Sequence, residues 1–515
     1  MNIKYLNLLN NTFYNRSLIG GASSSSSTST TNSSSKFILL SCPEFNETIN
    51  TIITLDTNDK DLITRKENEL KSNSIETINS GDYERFLEDI GQNLDDILEK
   101  ENKEIEERNK QSASQQTLKT RLTSEKIIAL KNDPKNKELY ARSKSNIETE
   151  HYYRGFIHWE TYGDKTPDIK MNADTVKRLK GGKVIFFAYF SFNELDATPI
   201  MNQLLFLNSL NHYGVAEIHI VLPYFPVGTM ERIVGEGETP TGYALAQMIN
   251  SIPSGSSKNT IYIFDIHALC SRFFFHTNTI PVLITLMPKY LHHIKTKFAE
   301  NSSETVVNIG LSNAGQSSTS EIKNLNIIVF PDDGAKKRFA KLLDKDTKTI
   351  TCSKVRVGNE RKIKIDEGIE HLLELDKDNK PTKTLKRNIH INLFIIDDLV
   401  QSGGTLIKTV EQVESHLNSE YTKEVGTHVK FYTLVTHSIL PTENREGKIE
   451  LFQKENIQQL ITSDSRPLKI KKIQLELVRD NKEAKLEVIH IADICHEIFT
   501  NKPEKSKYIA PYSIN

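Results

Sequence analysis

The sequence predicts an α/β fold, arranged as two tandem doubly wound domains with a polar insertion in the first and a disordered tail ahead of it. Three observations lead there. Apolar runs of strand length alternate with segments of helical period, the pattern of strands crossed over by helices. The 515 residues exceed what one hydrophobic core usually serves. Two stretches break the alternation by composition: 1–35, dominated by Ser, Thr and Asn, and about 57–149, rich in Glu, Lys, Asn and Asp. Neither carries enough apolar surface to offset the entropy of ordering it.

Lys36 to Cys42 reads as the first strand, and Pro43-Glu44-Phe45 opens a short helix. The helical character of Tyr83 to Arg108 is too sparsely apolar for a coiled coil, so 57–149 is placed as an insertion. The alternation resumes with strand Val184 to Phe190, helix Met201 to His212, strand Glu217 to Leu222, helix Thr241 to Ile252 and strand Ile261 to Phe264. This gives a first domain over 36–280. The second, over 281–515, is expected to hold helix Val282 to Phe298, a Ser-rich loop, strand Ile327 to Phe330, helix Lys336 to Leu343 and strand Thr349 to Cys352. A charged hairpin from Lys354 to Ile365 and an acid-rich loop from Asp366 to Lys386 follow. Then come a buried strand at Leu393 to Ile396, helix Leu406 to Leu417, strand Val429 to Thr436 and a last helix after Glu487.

With 66 basic and 67 acidic residues the net charge is −1, which supports neither a nucleic-acid nor a membrane partner. Cys42, Cys270, Cys352 and Cys495 lie far apart without metal-ligand spacing, the usage of a reduced compartment. No apolar run is long enough to span a bilayer, and a soluble cytoplasmic protein is expected. The absence of acids before Glu44, with Lys4, Arg16 and Lys36 basic, makes an organelle the alternative address.

The densest chemistry follows the strand Leu393 to Ile396. Asp397 and Asp398 offer acceptors for vicinal ribose hydroxyls, directly or through hydrated Mg²⁺. Gln401, Ser402, Gly403, Gly404 and Thr405 then form a turn whose glycines allow positive φ, so that consecutive N–H groups converge on one anion at a helix N-terminus. A phosphorylated sugar, with its 5′-phosphate on the turn, suits that order. His267, in Asp265-Ile266-His267-Ala268, closes another strand and can give one ring nitrogen to a metal or phosphate while Asp265 or a carbonyl holds the other. Asp332, in Pro331-Asp332-Asp333-Gly334, stands at a strand end where it can meet a cation or ribose hydroxyls. Lys354 and Arg356 lie two apart in an extended segment, and Tyr224, Phe225 and Arg232 follow the strand ending at Leu222.

These segments together resemble the ribose-phosphate diphosphokinases, or PRPP synthetases, in their plant-type class II form. The resemblance rests on Phe225 to Arg232 (Phe-Pro-x-Gly-Thr-x-Glu-Arg), Pro331 to Ala335, Lys354-Val355-Arg356 and Val400-Gln401-Ser402-Gly403-Gly404-Thr405. Thr462 to Ser465 matches the late loop of that group, and the likeness spans Lys36 to about Thr54 and Gly155 to Ile498. The commoner class has Arg-Gln at Thr229-Met230, Asp at Gln401 and a clear Phe-Ser-Asp near Asp164, so this chain departs from it.

The resemblance implies phosphoribosyltransferase-like domains, ribose 5-phosphate and ATP or another NTP as substrates, and Mg²⁺ as cofactor. It implies metal-binding roles for His267 and Asp332 and a nucleotide site at Tyr224, Phe225 and Arg232. A catalytic loop would carry Lys354 and Arg356, and assembly into a homo-oligomer is expected. Two alternatives stay open: a non-catalytic regulatory relative, and a transferase that consumes PRPP through the sugar loop it shares with type I phosphoribosyltransferases.

Overall fold

Runs of β-branched and aromatic residues supply the strands, and the sequence neighbours of each run decide which are joined by helices. The computed structural model describes residues 36–56, 148–164, 166–191, 197–276, 278–299, 323–357, 360–423, 426–441, 449–500 and 506–511. The expected tail, all but the last residues of the expected insertion and the Ser-rich loop lie outside the described residues. By its contacts the chain divides into two compact units. One comprises the described residues up to Phe187 with Thr198–His219 and Ile252–Asn259; the other comprises Ala188–Ala197, Ile220–Ser251 and the described residues from Thr260 on. The contact division groups Tyr224, Arg232 and His267 with the residues that follow 281.

In the first unit, β1 (Phe37–Ser41) lies between β2 (Tyr152–Arg154) and β5 (Lys183–Phe187), parallel to both, with Leu39 opposite Arg154 and Ile185. Strands buried on both faces read as continuous apolar runs, as Phe37 to Leu40 and Val184 to Phe187 do. The turn Pro43–Phe45 leads into the helix Asn46–Asp56, as expected. Between β2 and β5 the sequence reading left unassigned an antiparallel hairpin of β3 (Ile157–Thr161) and β4 (Pro167–Met171) and a short helix, Ala173–Leu179. Asn172 caps that helix, its Oδ1 accepting the Thr175 N–H at 2.9 Å.

In the second unit, the parts of β6 (Glu217–Leu222) and β7 (Asn259–Phe264) that belong to it run beside each other, with β8 (Thr279–Ile284) next to β7. The helix expected over Val282 to Phe298 is a strand followed by a helix, Met287–Lys297. Thr279, Ile280, Val282 and Ile284 are β-branched and favour extension, and Pro288 is suited only to the first turn of a helix.

A seven-stranded sheet completes this unit: β9 (Lys323–Phe330), β10 (Thr349–Val357), β11 (Glu360–Glu367), β14 (Ile389–Val400), β15 (Thr427–Ser438), β16 (Ile457–Ser463) and β17 (Leu486–Ile489). The order is β11-β10-β9-β14-β15-β16-β17, parallel throughout except for the antiparallel β10–β11 hairpin. From β9 the chain moves outward to β10, and from β14 it moves the other way, so the switch point falls between β9 and β14.

The expected acid-rich loop contains the small hairpin of β12 (Leu373–Leu375) and β13 (Pro381–Leu385), because Leu372, Leu373 and Leu385 are buried while the charged residues between them are not. The stretch containing β16 and the helix Pro467–Arg479, unassigned from sequence, extends the sheet. Under the sheet, Leu406, Val410, Val413 and Leu417 form one stripe of the helix Gly404–Glu420 in a core shared with Ile327, Val329, Leu393 and Ile395. No helix of the described residues is long and apolar enough to cross a membrane.

Gly368, at φ +93° after β11, closes tightly on β10: a Cβ there would overlap the carbonyl oxygen of Thr349. Gly368→Ala is therefore expected to lower stability by upward of about 2 kcal/mol, read as a drop in the urea midpoint at unchanged slope.

Candidate active site

The switch point brings two acids to one sheet edge. Ile395 is opposite Val329, so the residues after each, Asp397 on β14 and Asp332 just past β9, reach the same level. Asp332 caps the helix Asp333–Phe339, its Oδ1 accepting the Ala335 N–H at 3.0 Å. Strand β14 runs on through Asp397 and Asp398 to Val400, four residues past the expected apolar run, because its ladder with β15 continues from Ile396–Leu434 through Asp397–Val435 to Leu399–His437. Asp397 is half-buried and Asp398 4% exposed. Their carboxyl groups stay in contact, and Asp397 Oδ1 also accepts the Asp398 N–H at 2.9 Å.

Asp398 meets His267: its Oδ2 lies 2.7 Å from His267 Nδ1 and 3.7 Å from the Arg338 guanidinium. Arg338 also donates to the backbone carbonyls of Asp265, Ile266 and His267. Asp265, which the sequence reading offered as the group orienting His267, is occupied elsewhere: its Oδ2 accepts from the Thr436 hydroxyl at 2.6 Å and the Leu286 N–H at 3.1 Å. Its backbone is left-handed at φ +32°, a strained state for a non-glycine.

The charges follow from these contacts. Burial works against the Asp398 carboxylate, but the His267 hydrogen bond and the Arg338 charge outweigh it and hold its pKa below the ordinary value. His267 is raised, first by the hydrogen bond to Asp398. Asp397 is pushed the other way, upward, by burial and then by the charge of Asp398, with Asp332 adding to it. Among the described residues no cation is paired with Asp397, which is the electrostatics of a place suited to a positive ligand.

The sugar-phosphate turn forms at the end of β14. Gly403 has φ +82° and precedes the helix Gly404–Glu420, whose first turn leaves backbone N–H groups without intrahelical acceptors. Gly404 donates to Ser402 Oγ at 3.4 Å, and Gln401, Ser402 and Thr405 are exposed around the turn. Only Gly403 of the two glycines needs the left-handed region.

Tyr224 and Phe225 line a small recess with Gly228, Thr229, Ile266, His267, Leu399 and His437. Arg466 lies over the Tyr224 ring at 5.0 Å and donates to Ser191 Oγ at 2.8 Å. Arg232 is 77% exposed beside Glu231, and among the described residues no contact joins it to His267 or the acid pair. Lys354 and Arg356 lie in β10, opposite Ile363 and Arg361 of β11 in the expected charged hairpin. The sequence reading missed Arg338, His437 and Arg466. Arg338 ends the run Lys336-Lys337-Arg338, where three cations in a row do not tell which one turns inward, whereas His437 and Arg466 stand at or just past strand ends, the position that could have flagged them.

Mg²⁺ suits this donor set in kind, because Asp332 and Asp397 offer hard carboxylate oxygens. Among the described residues no group of three or more His, Cys, Asp or Glu forms a metal cage.

Comparison with known proteins identifies the family of the chain. No protein-family model matches the chain. Ribose-phosphate pyrophosphokinase 4 of Arabidopsis thaliana is 31% identical over 300 residues, 58% of this chain and 72% of that protein. The chain belongs to the ribose-phosphate pyrophosphokinase family. The chloroplastic ribose-phosphate pyrophosphokinase 3 of Oryza sativa subsp. japonica is 32% identical over 302 residues, 58% of each chain. The mitochondrial ribose-phosphate pyrophosphokinase 3 of Spinacia oleracea is 32% identical over 294 residues, 56% of this chain and 57% of that one. Among solved structures, the phosphoribosylpyrophosphate synthetase from Mycobacterium smegmatis superposes with a TM-score of 0.46 at 13% identity, over 68% of this chain and 92% of that one. Ribose-phosphate pyrophosphokinases are transferases, and ATP and Mg²⁺ binding are general to the family.

Buried His437 gives a pH test of the site's scaffold. Its Nε2 bonds the Phe264 carbonyl and its Nδ1 the Ser465 hydroxyl, both at 2.9 Å, and burial lowers its pKa to about 4. The unfolded chain takes up that proton near the ordinary 6.5, so this stability is complete above pH 6.5 and is lost as pH falls toward 4. The loss is expected to reach about 3 kcal/mol and to be absent in His437→Gln, measured by denaturant titration of both proteins across that range.

Proposed function

We propose that this chain is a ribose-phosphate diphosphokinase. The anomeric hydroxyl of ribose 5-phosphate attacks the β-phosphorus of ATP or another NTP; the new O–Pβ bond forms as the bond from Pβ to the α–β bridging oxygen breaks. PRPP and the nucleoside monophosphate, AMP when ATP is the donor, leave. The observation that carries this reading is the convergence of the acids of β9 and β14 at the sheet's switch point, with a His267 pair and a glycine turn beside them.

In this reading Asp397 takes the ribose hydroxyls and the turn from Ser402 to Thr405 takes the 5′-phosphate on backbone N–H groups. Tyr224 and Phe225 wall the nucleotide recess, and Arg232 meets phosphates. His267 and Asp332 would hold Mg²⁺, which when bound neutralises phosphate charge. Lys354 and Arg356, assigned by resemblance, meet the charge that develops on the leaving oxygen. No covalent intermediate is needed, since positioning and charge neutralisation supply the rate. We place the reaction in the cytoplasm, with an organelle as the alternative, and expect a homo-oligomer.

The deciding assay supplies the purified protein with ATP, ribose 5-phosphate and Mg²⁺. Sugar-dependent release of AMP with formation of PRPP supports the enzyme. Inactivity with every nucleotide donor and salt favours a regulatory relative, the reading that Thr229-Met230 in place of Arg-Gln keeps open.

Two variants sharpen it. Lys354→Ala is expected to slow turnover roughly 10²-fold with little change in sugar affinity, and an unchanged rate would remove Lys354 from the mechanism. Gly403→Val places a β-branched side chain at φ +82° and against Leu451, so it is expected to abolish ribose 5-phosphate binding while nucleotide binding survives. Calorimetric titration with each ligand separately distinguishes these outcomes.

A further inference from the structure

The two acids of β14 have the same sequence context, yet only one is available to a sugar. Asp398 is 4% exposed and its Oδ2 is committed to His267 Nδ1 at 2.7 Å, with the Arg338 guanidinium 3.7 Å away. Asp397, whose Oδ1 accepts the Asp398 N–H at 2.9 Å, is half-buried and without a cation partner among the described residues. The His267 side chain is 42% exposed, and among the described residues nothing bonds its Nε2. Arg338, 11% exposed, adds a second tether, since it binds the carbonyls of Asp265, Ile266 and His267 from the same guanidinium that faces Asp398.

We propose that Asp398 is a positioning residue for His267 and no sugar ligand, and that Arg338 clamps the pair so that His267 presents Nε2 outward. This rests on the diphosphokinase reading for the identity of the ligands, but its geometry is independent of turnover. A carboxylate bonded to Nδ1 requires the proton on that nitrogen, and in the neutral ring this leaves Nε2 with its lone pair toward a ligand. The clamp also fixes the backbone that carries the ring, at a place where Asp265 holds a strained left-handed conformation. Asp397 is then the acid that recognises the sugar, and Asp398 serves the nucleotide side. Two neighbours in sequence are split between two substrates by the partners they meet, since only Asp398 is bonded to His267 and faced by Arg338.

The test measures binding with turnover blocked. Mn²⁺ with a non-hydrolysable ATP analogue is titrated by electron paramagnetic resonance and ribose 5-phosphate by calorimetry, for the unmodified protein, Asp398→Asn, Asp398→Ala, Arg338→Lys and His267→Ala. Loss of an outer partner of a ligating His typically costs about 10- to 100-fold in metal affinity. The expected result is such a loss in Asp398→Ala and Arg338→Lys, a smaller one in Asp398→Asn because its amide oxygen still accepts from Nδ1–H, and ribose 5-phosphate affinity within about twofold throughout.

In a His267→Ala background the effect of Asp398→Asn should vanish, which a general loss of packing would not produce. Nitrogen NMR of the metal-free protein, with His267 assigned from His267→Ala, should show the proton on Nδ1, and its loss or exchange in Asp398→Ala. A selective loss of ribose 5-phosphate binding in Asp398→Asn overturns the proposal while leaving the diphosphokinase reading intact. Weakened Mn²⁺·nucleotide binding in a protein that makes no PRPP sinks that reading and keeps the positioning role. Failure of the unmodified protein to bind Mn²⁺·nucleotide, or an Nε2–H tautomer, overturns the proposal.

Discussion

A carboxylate shut away from water stays charged only if cations and donors replace the water, and Asp398 is held by that requirement. His267 and Arg338 supply the replacement, and in doing so they tie together the loop after β7, the helix after β9 and the end of β14. Removing either cation would leave an uncompensated buried charge, which costs far more than the pair itself contributes. The remaining parts of the site are arranged around this knot. Arg338 reaches it because Asp332 starts the helix Asp333–Phe339 where it does, and Asp332 is held at that point by the end of β9.

The same knot separates two kinds of acid. Asp398 is matched by cations within the protein, while among the described residues no cation is paired with Asp397. Such a deficit destabilises the folded chain on its own, and sites that tolerate it are those where a cationic or hydroxyl-bearing ligand completes them. Around it the scaffold is made rigid by buried polar bonds: Thr436 to Asp265, Ser463 to the Thr436 carbonyl and His437 to the Phe264 carbonyl. These bonds are made inside the protein, which lets the strand ends be polar without becoming loose, although Asp265 Oδ1 is left buried without a partner.

Much of this could be read from the chain. The strands β6, β7, β14 and β15 announce themselves as apolar runs, and the helix after the Ser-Gly-Gly-Thr turn carries its stripe in Leu406, Val410, Val413 and Leu417. The switch-point acids were legible because each stands where an apolar run ends. What escaped was short or polar: the β3–β4 hairpin, the small pair β12–β13, and β8, which a helical reading absorbed into the segment before Pro288. Short strands owe their existence to partners distant in sequence, so local pattern underdetermines them.

By itself the sequence determined that this is an α/β protein with acids, His and Gly standing just beyond strand ends, that a glycine turn suited to phosphate follows a pair of acids, and that its motifs run in the order of one family. Those are properties of periodicity, residue type and order, all local. Only the tertiary structure decided that Asp398 and not Asp397 meets cations, that His267 is held by Asp398 instead of its sequence neighbour Asp265, and that Arg338 stands beside them. Strand order brings together residues up to 131 positions apart, and a hydrogen bond between such residues leaves no periodic trace in the chain.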